Sequence, residues 1–205
     1  GQIVDKLEEC GLRENTILIF MSDNGHSEET GNKIRDDGHL SGYPKGHFYG
    51  ASGGGSTGKW IGQKGSFLEG GVRVPAIISY PAKLPKGEVR GQIITAMDWF
   101  PTVLDLCGVQ QPSNSPKLDG HSVLPLIRSA KAKSKYKILH FAWGKKWAVR
   151  EGDWKLIGSN GNTKVSLRNL VDAKPEAKEY AKAKPEIVQR LRTLHSDWVK
   201  EVSPK

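Results

Sequence analysis

The sequence predicts an α/β fold followed by a small α+β subdomain, and three observations point there. Two short apolar runs, "TILIFM" (Thr16–Met21) and "PAIISY" (Pro75–Tyr80), are continuous and partly β-branched. That is the pattern of strands buried on both faces of a parallel sheet. Helix patterns with stop signals precede the first run and follow the second. Beyond residue 129 the pattern changes to short strands with tight turns and one long amphipathic helix, read as an antiparallel sheet with a closing C-terminal helix. The expected division is 1–128 for the α/β part and 129–205 for the subdomain.

Taken in order, Ile3, Leu7 and Cys10 recur at helical spacing and Gly11 stops the helix. Asn15 precedes the first strand, which ends at Ser22-Asp23-Asn24-Gly25. A polar cluster at the carboxyl end of a parallel strand is where open α/β sheets place ligands. Residues 25–71 are rich in glycine and polar residues, and a loop of that length is often functional. After the second strand, Asp98 is expected to cap a helix through "WFPTVLDLC", with Gly108 closing it. Prolines and lysines across 110–135 mark a boundary. "KILHFAW", "KWAVRE" and "WKLI" follow, and Glu151-Gly152-Asp153 is expected to turn a hairpin between the last two. Ile187, Leu191, Leu194 and Trp198 then outline one face of a helix that starts near Pro185.

The bulk numbers exclude several classes. The chain has 205 residues, 37% of them hydrophobic, with six tryptophans, so disorder throughout is excluded. Its longest apolar runs are too short to span a bilayer. The formal charge is +9, but the lysines are scattered, with loose clusters at Lys131–Lys137 and Lys174–Lys184. They read as a solvated surface, and no nucleic-acid partner is expected. Cys10 and Cys107 sit in apolar helical patterns, form no C-x-x-C, and are expected to be buried thiols. The chain opens without Met inside a helix pattern, so it is expected to be part of a longer protein.

Gly53 to Lys59 spells G-x-x-x-x-G-K, the beginning of a P-loop. A P-loop also needs Ser or Thr after the lysine, a strand before it and a helix after it. Position 60 is Trp, "YPKGHFYGAS" is no buried strand, and two glycines interrupt "WIGQKGSF". Nucleotide binding through this motif is therefore rejected. Lys64, in Gly62-Gln63-Lys64-Gly65, is the lysine with a chemical context. Asp23 and Asn24 offer a carboxylate and an amide oxygen, hard donors suited to Ca²⁺ or Mg²⁺. A divalent ion and a lysine together suit an anion with tetrahedral oxygens. On spacing alone, a common Asp-Asn-Gly turn and a solvated lysine are the favoured reading of the same residues.

"TILIFMSDNG", "GQKGSFLEGGVRVPAIISYP", "TAMDWFPTVLDLCGV" and "LDGHSVLPLI", in this order and spacing, resemble the C-terminal half of a type I sulfatase. These are formylglycine-dependent, arylsulfatase-like enzymes of the alkaline phosphatase superfamily. "VREGDWKLI" and the stretch from "SLRNLVD" to "TLHSDW" extend the likeness into the family's small C-terminal subdomain. The resemblance implies that Asp23 and Asn24 are divalent-cation ligands, usually for Ca²⁺, and that Lys64 binds the substrate's sulfate oxygens. It implies that Glu69 and Arg73, in "EGGVRVP", are buried structural partners. His26, directly after the metal pair, becomes a candidate leaving-group acid or substrate contact.

In this family a cysteine within C-x-[PA]-S-R becomes formylglycine, whose hydrate attacks sulfur. Cys10 is followed by Gly-Leu-Arg and Cys107 by Gly-Val-Gln, so neither has that context. The implied function is a share of a sulfatase site, for aryl or carbohydrate sulfates. The isolated chain is expected to be inactive for want of an attacking group. The resemblance further implies a periplasmic or secreted protein, and leaves the oligomeric state open. The loop 27–62 carries His39, His47, Tyr, Lys and Trp among its glycines, a composition suited to a sulfated sugar or to an ordinary surface excursion. His121, His140 and His195 read as structural. Two rivals stand beside this reading: a phosphodiesterase or phosphonate hydrolase on the same scaffold, and a non-catalytic binder of sulfated polysaccharide.

Overall fold

The computed structural model describes residues 1–30, 52–54 and 56–203. Its helices are α1 (Gln2–Glu9), α2 (Glu69–Val72), α3 (Trp99–Cys107), α4 (Leu124–Arg128) and α5 (Pro185–Val202). Its strands are β1 (Leu18–Met21), β2 (Ser27–Thr30), β3 (Ser52–Gly54), β4 (Ala76–Ser79), β5 (Ile138–Trp143), β6 (Lys146–Glu151), β7 (Trp154–Ser159) and β8 (Asn162–Asn169). The described residues form two compact units. One holds Gly1–Phe20 with Ala76–Lys137; the other draws on Met21–Pro75 and Ile138–Lys205. No helix among the described residues is long and apolar enough to cross a membrane.

Both apolar runs form strands, as expected, and β1 pairs with β4. Burial on both faces does not follow: Phe20 is 66% exposed and Ile77 59%. In this two-stranded sheet Phe20 and Ile77 are left mostly uncovered among the described residues. The core lies at the other side, where Tyr80, Leu84, Leu106 and Leu124 meet Ile17, Ile78 and Ile127. Tyr80 also donates its hydroxyl to Asn15 Oδ1 at 3.1 Å.

The expected helix start moves by one turn. Thr95 and Asp98 form a capping box ahead of a short 3₁₀ turn that runs into α3. Asp98 is wholly buried and accepts from Thr95 N at 2.7 Å, His121 N at 3.0 Å and the Tyr136 hydroxyl at 2.6 Å. Burial and that hydrogen bond to the aspartate push the Tyr136 phenol up to about 12. Gly108 closes α3 in the left-handed conformation, as expected. Both cysteines are exposed, against the expectation. The reason is helical phase. In α3 the buried positions are Thr102 and Leu106, which turns Cys107 away, while α1 buries none of its residues.

In the second unit β5, β6, β7 and β8 form an antiparallel meander in that order. Gly152, with a φ of 57°, makes the tight β6–β7 hairpin in which Glu151 faces Trp154. Alternation along the strands gives the sheet two chemically distinct faces. Val149, Leu156 and Leu167 lie opposite one another across three strands and are all fully buried. They pack with Trp147 against α5, where Leu191 is fully buried and Ile187, Val188 and Leu194 flank it. His195 stacks on Trp147 with ring centroids 4.1 Å apart, and His140 stacks on Trp198 at 4.9 Å, structural roles as expected. The neighbouring positions Arg150, Lys155 and Arg168 form a second cross-strand row on the opposite face. Two of that row, Arg150 and Lys155, hold Glu69 at the head of the glycine block.

Candidate functional site

The site is built where β1 ends. Ser22 Oγ donates to Asn24 O at 2.7 Å, and Asn24 N donates to Asp23 Oδ1 at 3.0 Å, a tight turn with an exposed Asp23 and a half-buried Asn24. Two backbone hydrogen bonds then tie this turn to the glycine block. Gly25 N donates to Gly71 O at 3.0 Å, and Lys64 N donates to His26 O at 2.9 Å. Residues some 40 positions apart are thereby placed side by side, with the exposed Lys64 beside the turn that carries Asp23 and Asn24.

Close backbone approach explains the glycines. A Cβ on Gly25 would sit 1.8 Å from Gly70 O, and one on Gly71 would sit 2.2 Å from Ser66 O. Neither contact can be relieved by rotating a side chain, so only glycine serves there. By contrast the P-loop-like lysine has no helix after it. Lys59 lies in a turn, with Nζ 4.8 Å from the Trp60 ring centroid.

Glu69, the first residue of α2, anchors the block. It is 2% exposed and is held by three cations. Lys155 Nζ donates to its Oε1 at 2.5 Å, and Arg150 and Arg73 reach its Oε2 at 3.2 and 3.3 Å. Lys155, fully buried, also donates to Phe67 O at 3.0 Å and lies 3.1 Å from Glu176 Oε1. Glu176 in turn accepts from Glu69 N at 2.7 Å. Burial alone would raise the Glu69 carboxyl. The attraction and hydrogen bond of Lys155, then the charges of Arg150 and Arg73, outweigh it and hold the group below its ordinary value. Glu69 is thus the buried structural partner expected. Arg73 is not buried: its side chain is 45% exposed and lies 4.3 Å from the Trp60 ring centroid, where its stem needs no core to pack against.

Sequence reading missed Lys155, Arg150 and Glu176. The available signal was Arg150 among the apolar residues of "WAVR", Lys155 among those of "WKLI", and a Glu opening the glycine block. Opposite charges in such settings require each other. His26 is partly buried, and its Nδ1 is enclosed without a hydrogen-bond partner among the described residues. His39 and His47 lie outside the described residues. Among the described residues, no three His, Cys, Asp or Glu side chains converge as metal ligands. Asp23 and Asn24 therefore contribute two oxygen donors, a chemistry that fits a hard divalent cation as part of a larger set.

Comparison with known proteins places this geometry in context. The sulfatase family model matches residues 1–109, and the model for the N-sulphoglucosamine sulphohydrolase C-terminal region matches residues 59–197. Human arylsulfatase D is 37% identical over 141 residues, covering 68% of this chain and 21% of its own. An uncharacterised sulfatase of Schizosaccharomyces pombe is 30% identical, covering 93% of this chain and 39% of its own. A solved structure from the Bacteroides thetaiotaomicron locus for metabolism of multiple glycosaminoglycans superposes with a TM-score of 0.68 at 26% identity, covering 96% of this chain and 41% of that one. The chain thus spans about two-fifths or less of these relatives' length. Two family models that overlap across residues 59–109 and together reach from residue 1 to 197 leave one conclusion: this chain belongs to the sulfatase family.

Proposed function

We propose that this chain supplies the sulfate-gripping part of a sulfate ester hydrolase, acting on an aryl or carbohydrate sulfate in the full-length protein. The observation that carries the proposal is the backbone hydrogen bond from Lys64 to His26. It joins the two motif blocks and brings the backbone of Lys64 beside the segment that follows the Asp23–Asn24 turn. In this reading Asp23 and Asn24 hold a divalent cation through hard oxygen donors that suit Ca²⁺ or Mg²⁺, with Ca²⁺ preferred by the family resemblance. When bound, such an ion polarises a sulfuryl oxygen as a Lewis acid. Lys64 neutralises charge that grows on the sulfate oxygens as the ester bond breaks, and the Glu69–Lys155 network keeps its loop in place. His26, whose Nδ1 has no hydrogen-bond partner among the described residues, orients or protonates the departing alcohol. The nucleophile lies elsewhere in the full-length protein, since neither Cys10 nor Cys107 has a formylglycine context. A sulfated glycosaminoglycan fragment is the favoured carbohydrate substrate, given the kind of locus from which the superposed structure comes.

The test is Lys64→Ala in the full-length protein. Losing one preorganised charge stabiliser costs about 2–4 kcal/mol, a fall in kcat/KM of roughly 30- to 1,000-fold. Retention of kcat/KM to within about threefold would remove Lys64 from the site.

A further inference from the structure

β5 ends in an unusual residue for its surroundings. Trp143 is 65% exposed, while Trp147 and Val149 on the adjacent strand are buried. It pairs across the β5–β6 turn with Lys146, whose Nζ lies 5.8 Å from the indole centroid. One cation, Lys146, therefore borders the exposed aromatic face. Its position is fixed by packing two residues back. Phe141, on the same side of the strand, stacks obliquely on Phe67 with centroids 6.0 Å apart. That contact brings the end of β5 against the lysine loop. A Cβ placed on Gly65 would lie 3.9 Å from Trp143 Cζ3, so the indole is the immediate neighbour of the residue after Lys64.

An exposed indole with a flanking ammonium group, in contact with the residue that follows the lysine assigned to sulfate, has the chemistry of a sugar platform. The flat, weakly polar C–H face of a pyranose lies on an aromatic ring, and the cation meets a carboxylate or a further sulfate on the same saccharide. We propose that Trp143, with Lys146, forms a second subsite that holds the ring of a sulfated saccharide whose reacting sulfate is bound at Lys64. The inference rests on the reading of Lys64 given above and adds the residue that selects a sugar carrier.

The experiment compares two probes on the full-length protein: KM for a sulfated glycosaminoglycan disaccharide, and the inhibition constant of inorganic sulfate, which reaches the Lys64 site alone. Trp143→Ala is expected to raise the disaccharide KM about three- to tenfold and leave the sulfate constant unchanged. Trp143→Phe, which keeps an aromatic face, is expected to restore most of the loss, an outcome that purely structural damage does not give. Lys64→Ala is expected to weaken both probes. If Lys64→Ala leaves the sulfate constant unchanged, the underlying reading fails and this one with it. If Lys64→Ala behaves as expected but Trp143→Ala moves neither probe, or moves both equally, the sugar platform alone is overturned. Absence of any disaccharide binding by the wild type overturns it too.

Discussion

Replacing Lys155 with Met tests whether the buried charge network holds the lysine loop. The substitution keeps the length and packing of the stem while removing the ammonium. Three contacts disappear: to Phe67 O at 3.0 Å, Glu69 Oε1 at 2.5 Å and Glu176 Oε1 at 3.1 Å. Two buried carboxylates are then left within one enclosure. Removing one partner of a buried pair costs about 3–5 kcal/mol. Because Arg150 still reaches Glu69, and Glu176 still accepts from Glu69 N, the expected loss is at the lower end, about 3 kcal/mol. Urea unfolding of the full-length protein, followed by tryptophan fluorescence at pH 7 and pH 5, measures it. In the wild type the Glu69 carboxyl is held below its ordinary 4.5, so its contribution is complete above that value and is lost as pH falls through the folded one. Without Lys155, burial becomes the dominant influence and raises the carboxyl, so protonation relieves the variant as pH falls. The deficit at pH 7 should therefore shrink at pH 5, and adding Glu69→Gln should recover part of it. A deficit under about 1 kcal/mol at pH 7, well short of the cost of breaking a buried pair, or one that is independent of pH, would refute the reasoning.

Gly25→Ala should destabilise the protein by at least about 1–3 kcal/mol and lower kcat/KM, because its Cβ would collide with Gly70 O, a backbone atom, and break the register that carries Lys64; an unaltered unfolding midpoint and wild-type turnover would contradict the close approach. The stacked histidines give the second unit a pH dependence. Burial lowers the pKa of His195, and burial together with His195 lowers that of His140, against a smaller opposing effect of Glu201. Their contribution is thus complete above the ordinary value of 6.5 and falls as pH drops below it, since the unfolded chain takes up protons first. His195→Phe, which can keep the stack on Trp147, should flatten the loss of stability between pH 7 and pH 5; an unchanged slope would assign that loss to other groups.

Much of the local architecture was legible because it rests on local rules. The end of β1 at Ser22, the αL closure at Gly108, the Gly152 hairpin and the α5 face through Leu191 each follow from residues within a few positions of one another. The glycines of the site are visible in the sequence, but their neighbours are not. What Gly25 touches is Gly70, and nothing in either segment names the other. Exposure was also misjudged where it depends on what covers a face. Phe20, Ile77, Cys10 and Cys107 all sit in apolar patterns yet are exposed.

The sequence by itself therefore determined the principal strands and helices outside the long glycine-rich segment, the turn at Asp23–Asn24, and membership of the sulfatase family through its ordered motifs. Only the tertiary structure decided which charges share an enclosure and which aromatic ring borders the lysine loop. Glu69 meets Lys155 across 86 positions of chain, and Gly65 meets Trp143 across a similar span. Backbone propensity and hydrophobic period act over one or two turns, whereas charge pairing and burial depend on distances that exist only once the chain has closed on itself.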